Sequence, residues 1–312
     1  MTKKRKKLTL AMMSILLLSA CGITDETSGA EQPQTTTTFE EYGEYISYSS
    51  TVPEAYYQTV FAFEELESGV NTVPHKKVRA MYEEMKATFD YLLVNDYPLV
   101  YRGDYQGDTA FVDGYDQYQA GKVPNPMNVE ARDWEGNPFL ATPLKTLLLG
   151  DGVFQRFDQQ IEEGRNLKIT DYTLVTPDQP IPVVLGYAYK GIYEIGDTFS
   201  LELISEVMNF QVVGFYKQGT SFAMDTQQVA FDYTIVMPHF LFEYEPVGEA
   251  ALFQHAFHLA ELTSGYIQID KPFEAINDET YQQTVDMLEK MAERHNLSGL
   301  YKVATWPVGF VW

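Results

Sequence analysis

Apolar positions along the chain recur with two periods, and the change from one to the other marks its elements. In residues 75–92, Val78, Met81, Met85, Phe89 and Leu92 fall three or four apart, which predicts an amphipathic helix with these side chains inward. Residues 99–101 then read as a short strand, with Pro98 tolerated just before it. Residues 103–143, rich in Gly, Pro, Asp and Asn, predict turns and a loop-bearing edge. Farther on, Ile181-Pro182-Val183-Val184-Leu185 is an unbroken apolar run suited to a buried strand, and Gly186 ends it where the backbone must turn. Ile195-Gly196-Asp197 supplies a second turn. From Thr198, Phe199, Leu201 and Leu203 alternate with Ser200 and Glu202, the pattern of a half-buried strand. Asn209 precedes a strand at 210–216 that Gln218-Gly219 closes, and Val229, Phe231, Tyr233, Ile235 and Met237 alternate in another that ends at Pro238.

Downstream the elements become mixed. Residues 266–269 predict a strand, and Asp278 caps a helix whose inner face is Tyr281, Val285, Leu288, Met291 and Ala292. Gly299 marks its exit, and 300–305 is the next strand. Strand, helix and strand in that order predict a βαβ unit with a right-handed crossover if both strands join one sheet. The closing TWPVGFVW is apolar but far too short to cross a bilayer, so it reads as a terminal strand and packed tail. The expected fold class is α+β: a core domain over 39–312, with a β-rich lobe at about 150–240 and a mixed α/β lobe from 39–149 and 241–312.

The N-terminus changes the picture. MTKKRKKLTLAMMSILLLSACG places Lys3, Lys4, Arg5, Lys6 and Lys7 before an uncharged run at 8–20, the layout of a secretory signal. The run is shorter than the roughly 20 apolar residues that span a bilayer. Leu18-Ser19-Ala20-Cys21 resembles the bacterial lipobox, which implies cleavage between Ala20 and Cys21 and a diacylglycerol on the Cys21 thiol. Residues 1–20 are then a lipoprotein signal peptide, and Cys21 becomes a lipidated, palmitate-bearing N-terminus. Two acyl chains make a stable anchor where one is marginal. Residues 22–38 hold almost no large apolar side chain and read as a disordered tether. The expected location is the extracytoplasmic face of the cell membrane.

Charge and cysteine content then exclude partners and chemistries. The chain carries 44 acidic against 22 basic residues, a formal net charge of -22, and loss of the signal cations would leave it more acidic still. Such a surface repels nucleic acid and anionic lipid. Cys21 is the single cysteine, so the exported part has no disulfide and is held by its core.

Four short motifs carry a family resemblance. Glu163-Gly164-Arg165 is followed by Ile181-Pro182-Val183-Val184-Leu185-Gly186, then Ile195-Gly196-Asp197-Thr198, then Phe210-Gln211-Val212-Val213-Gly214-Phe215. In this order they resemble the periplasmic core domain of MacB-like ABC transporter permeases, of the wider FtsX-like group, where EGR, PVxLG, xGDxF and FxVVG recur within a β-rich lobe beside a βαβ-type lobe. The motifs cover roughly residues 152–219, about a fifth of the chain. The resemblance implies a structural role for Gly164, Arg165, Pro182, Gly186, Gly196, Asp197 and Gly214. The permeases carry four transmembrane helices around this domain, and the sequence departs from them there, with a lipid on Cys21 in place of the first. No GxxxxGK[ST] nucleotide loop occurs. The implied role is a non-catalytic accessory or partner-binding component of an ABC transporter system for export or the envelope. Its partners would be the bilayer, through Cys21, and a permease/ATPase complex.

Rival chemistries are weaker. A free-standing ligand-binding lipoprotein would show a deep cleft with converging polar groups, whereas a flat apolar patch would favour a protein partner. A metal-dependent hydrolase would need zinc at His255 and His258 with Glu249 or Glu261, but the spacing is not HExxH, and partly buried histidines are the more ordinary reading. Asp104, Asp108, Asp113 and Asp116 form an acidic loop whose spacing fails the DxDxDG calcium pattern. No GxSxG elbow occurs, and the one cysteine is committed to lipid. No enzyme activity, cofactor or metal is therefore expected. Tyr42, Tyr45 and Tyr48 offer an aromatic platform, yet 22 Tyr and 19 Phe suit a disulfide-free core better.

Overall fold

In the computed structural model, which describes residues 54–61, 75–154, 160–224, 227–269, 277–305 and 308–311, Ile181–Leu185 lies inside the larger of two main β-sheets, beside which Thr173–Leu174 and Leu241–Phe242 form a separate two-stranded one. It runs parallel to Glu206–Tyr216 on one side and antiparallel to Ile235–Pro238 on the other. Ile181, Val183, Val184 and Leu185 are fully buried, which is why this strand is apolar without alternation. Cys21, its signal and tether, and Tyr42, Tyr45 and Tyr48 lie outside the described residues.

Ten strands make the larger sheet. From one edge the order is Val94–Asn95, Thr146–Leu149, Ile235–Pro238, Ile181–Leu185, Glu206–Tyr216, Thr198–Leu203, Leu99–Arg102, Pro138–Leu144 and Val129–Arg132, with Ile161–Gly164 on the far end of Glu206–Tyr216. The smaller sheet runs Gln227–Ala230, Ser221–Met224, Val308–Val311, Glu54–Phe61, Tyr266–Gln268 and Tyr91–Leu92, and Tyr301–Val303 also pairs with Glu54–Phe61. Five helices are described: α1 (His75–Thr88), α2 (Tyr115–Gln119), α3 (Asp151–Phe154), α4 (Glu249–Leu262) and α5 (Asp278–Arg294). The architecture is α+β.

The helices of the smaller sheet share one core, in which Val78, Met81 and Met85 of α1 meet Ala256 and Leu259 of α4 and Leu288 and Met291 of α5. α4 is apolar nearly all round, because its other side faces the larger sheet: Gln254 Nε2 donates to Leu203 O at 2.8 Å, and Ser205 Oγ to Ala250 O at 2.8 Å. A second core joins the sheets directly, with Tyr56, Leu92 and Tyr266 of the smaller packed with Leu147, Val184, Tyr216 and Val236 of the larger.

Several expectations need correction. α1 stops at Thr88, and Leu92 is buried as a strand residue paired with Tyr266. Residues 103–143 include a hairpin of Val129–Arg132 with Pro138–Leu144, turning at Gly136 with φ 89°; its first strand alternates only between half-buried and exposed, so no apolar stripe announces it. The strand expected at 210–216 begins at Glu206 and forms a hairpin with Thr198–Leu203. The alternating run at 229–237 is two strands in different sheets, parted by a turn in which Thr234 N–H donates to Phe231 O at 3.0 Å.

Asn277 caps α5, its Oδ1 accepting from Thr280 N–H at 3.0 Å, while Asp278 sits in the first turn, where its charge suits the helix dipole. Tyr266–Gln268 and Tyr301–Val303 both pair antiparallel with Glu54–Phe61 and so run parallel through it. The sheets do not divide at 150 and 240, since strands between 94 and 149 belong to the larger sheet and those at 221–230 to the smaller.

Candidate functional site

The motif positions gather around Glu206–Tyr216 and act on the backbone. Gly164, with φ 76°, pairs with Gly214 across the ladder, and Arg165 N–H donates to Val213 O at 2.9 Å. A Cβ on Gly164 would stand 2.4 Å from Val213 O, and one on Gly214 2.2 Å from Arg165 O, so neither position admits a side chain. The Arg165 guanidinium forks onto Asp171, Nη1 to Oδ2 at 2.6 Å and Nη2 to Oδ1 at 3.2 Å, and ties down the turn Ile169–Tyr172.

Gly186 is extended at φ -64°, a conformation open to any residue. It is excluded by approach, because a Cβ there would meet Phe231 O at 1.8 Å. Pro182 is tolerated inside the sheet because the ladder to Ile235–Pro238 takes only Val184 and Leu185. Gly196 donates to Val212 O at 2.8 Å with φ 95°, and Asp197 Oδ2 accepts from Glu194 N–H at 2.8 Å while its carbonyl accepts from Val212 N–H at 2.9 Å.

One open groove of about 600 Å³ borders this frame. Asp197 lines it with Glu163, Lys190, Ile192, Glu194 and Ile195. Lys190 Nζ bonds to Glu162 Oε1 at 2.8 Å and approaches Glu163 Oε2 at 3.4 Å, contacts that raise the lysine above its ordinary pKa.

The candidate zinc residues do not converge. His258 Nε2–H donates to Phe240 O at 2.6 Å, and burial lowers its pKa from 6.5 to about 4, so it is neutral at neutral pH. His255 stacks on Phe242 at 3.7 Å. His239, which the sequence did not single out, lies 4.6 Å from His258 ring to ring, is 1% exposed, and is held well below 6.5 by burial first and then by His258. Glu249 is exposed at the start of α4. Glu261 lies at the other end, where Asn95 Nδ2 donates to its Oε2 at 2.9 Å; burial, and then the Asp96 charge, raise this carboxyl from 4.5 to about 7. The acidic loop also disperses: Asp108 Oδ1 accepts from Ala110 N–H, Asp116 pairs with Lys145, and Asp113 is raised by burial and by Asp96. Among the described residues no three His, Cys, Asp or Glu side chains are grouped to hold a metal.

Sequence reasoning also missed the pairing of Arg102 with Glu202. Glu202, on the expected polar face of its strand, is 6% exposed and accepts from Arg102 Nε, whose guanidinium lies 4.5 Å over the Phe139 ring. The two residues are 100 positions apart, and no local pattern links them.

No family model and no curated protein matches the chain. Among solved structures, it is similar to the extracellular domain of the noncanonic ABC-type transporter YknZ from Gram-positive bacteria, at 9% identity over 80% of this chain and 100% of that one, with a TM-score of 0.36. It is also similar to the periplasmic region of MacB from Actinobacillus actinomycetemcomitans, at 11% identity over 81% of this chain and 89% of that one, with a TM-score of 0.34.

Proposed function

We propose that the chain is a lipid-anchored extracytoplasmic protein that serves an ABC transporter system as a non-catalytic, partner-binding component. The observation that carries this reading is the use made of the motif set. Gly164, Arg165, Gly186, Gly196, Asp197 and Gly214 come from four separate segments and meet along or beside one strand, and each serves backbone packing or a turn. They build a rigid frame and bring no nucleophile, acid–base pair or metal ligand together, as suits a domain that works through its surface. Attachment would come from diacylglycerol on Cys21, with residues 22–38 as tether. Among the described residues, no helix is long and apolar enough to cross a membrane.

The ligand-binding alternative calls for a deep cleft of converging polar groups. The groove at Asp197 is instead open, and Lys190 there is already engaged by Glu162 and Glu163. Cross-linking in intact cells, followed by tagged purification and mass spectrometry, tests the proposal. Enrichment of an ABC permease or its ATPase over an unrelated lipoprotein control is expected; recovery of neither would sink it.

A further inference from the structure

We propose that the loop of residues 190–197 is a docking surface for a protein segment that carries basic side chains between aliphatic ones. Ile192 and Ile195 stand 58% and 41% exposed on this loop, and both line the groove of about 600 Å³. Aliphatic side chains exposed singly need no explanation, but two on one short loop around one groove do. The loop is also held in place. Ile192 N–H and Tyr193 N–H donate to Tyr189 O at 3.0 and 3.2 Å, Gly196 N–H donates to Val212 O, and the Cδ1 of Ile195 reaches over Gly164. Binding therefore requires little further ordering of the loop.

Charge selects the occupant. The ammonium of Lys190 is taken by Glu162 and Glu163, and one oxygen of Asp197 is used within the loop by Glu194 N–H. The Glu194 carboxylate is exposed between the two isoleucines and has no partner among the described residues. An uncompensated carboxylate flanked by aliphatic side chains complements a basic residue flanked by aliphatic ones. The same charge repels an anionic bilayer. This inference stands on the loop and does not require the partner to be a transporter component.

Selection of a phage-displayed library of random short peptides on the full chain, purified in mild detergent, tests it. The enriched peptides should combine Lys or Arg with Leu, Ile or Val and bind more weakly as salt rises. They should lose about tenfold in affinity on Ile192→Ser or Glu194→Gln, both exposed positions whose variants keep the parent melting temperature. Absence of enrichment, acidic or purely apolar winners, undiminished binding by both variants, or binding of phosphatidylglycerol vesicles in place of peptides would overturn the proposal. Photo-cross-linking from position 192 in cells then identifies the natural partner. A partner unrelated to transporters, captured through a basic-aliphatic segment, would leave this surface standing while removing the function proposed above.

Discussion

Replacing Glu261 with glutamine takes a titratable group out of the junction between the sheets and keeps its shape. Asn95, on the edge strand of the larger sheet, donates through Nδ2 to Glu261 Oε2 at 2.9 Å and to its carbonyl at 3.2 Å, and a glutamine oxygen can accept the same bond. The groups that act on this carboxyl are the surrounding apolar burial and the Asp96 charge, which together raise it from 4.5 to about 7. Between those two values the folded state holds more protons than the unfolded, so stability falls as pH rises through the window. At about 1.4 kcal/mol per pH unit, the ionised carboxylate costs about 3 kcal/mol above pH 7, an upper value because Glu261 keeps a partial opening to solvent, and almost nothing below pH 4.5.

His258 acts with the opposite sign. Its pKa is lowered from 6.5 to about 4, so the unfolded state binds the extra proton and stability is lost as pH falls through that window, again by about 3 kcal/mol. His239, lowered also, adds to the same side. In the parent protein the two slopes oppose each other between pH 4.5 and 6.5. Glu261→Gln removes one and uncovers the other. Urea unfolding at a series of pH values should find the variant equal to the parent near pH 4 and more stable by about 3 kcal/mol near pH 8. A difference that stays constant with pH, or a variant less stable at pH 8, would refute the reasoning.

Three further outcomes follow from single contacts. Gly186→Ala drives a Cβ into the Phe231 carbonyl and should cost about 3 kcal/mol in urea unfolding, whereas Gly196→Ala meets open space and should cost only its strained φ, about 1 kcal/mol. A double-mutant cycle of Arg165→Met with Asp171→Asn should return a coupling of about 1 kcal/mol, and additive losses would show that the forked pair does not hold the 169–172 turn. Cys21→Ser should abolish labelling by radioactive palmitate and leave an unprocessed precursor, and normal labelling would remove the anchor from the proposed function.

What was legible in the sequence depended on whether the cause was local. The strand Ile181–Leu185 could be read because burial on both faces leaves an unbroken apolar run. The 229–237 run misled because alternation reports which side of a strand is buried and carries no information about which sheet buries it. Phe89 and Leu92 prolonged the helical phase beyond Thr88, since the chain leaves α1 and enters a strand without leaving the apolar interior. Gly196 was legible as a glycine that turns, and its positive φ agrees, whereas Gly186, read the same way, is extended. The need for glycine at 186 and 214 arises from carbonyls of other strands and has no local signature. Glu202 looked solvent-facing because its partner Arg102 is remote in sequence.

The joining of the two sheets bears on how such a domain can work. The chain passes between them at Leu93, at residues 217–220, at residues 231–234 and through residues 239–265, and Leu93 and Phe231 in these passages are each 2% exposed. Between the larger sheet and the helices of the smaller one, Asn95 Nδ2 donates to Glu261 O, Gln254 Nε2 to Leu203 O and Ser205 Oγ to Ala250 O. Hinge closure around a ligand uses loops free to absorb large backbone rotations. Here rotation of one sheet against the other would break these bonds and open the core shared by Tyr56, Leu92, Val184 and Tyr216. In the reading proposed above, a domain so braced would present the preset 190–197 loop to a partner while keeping its shape.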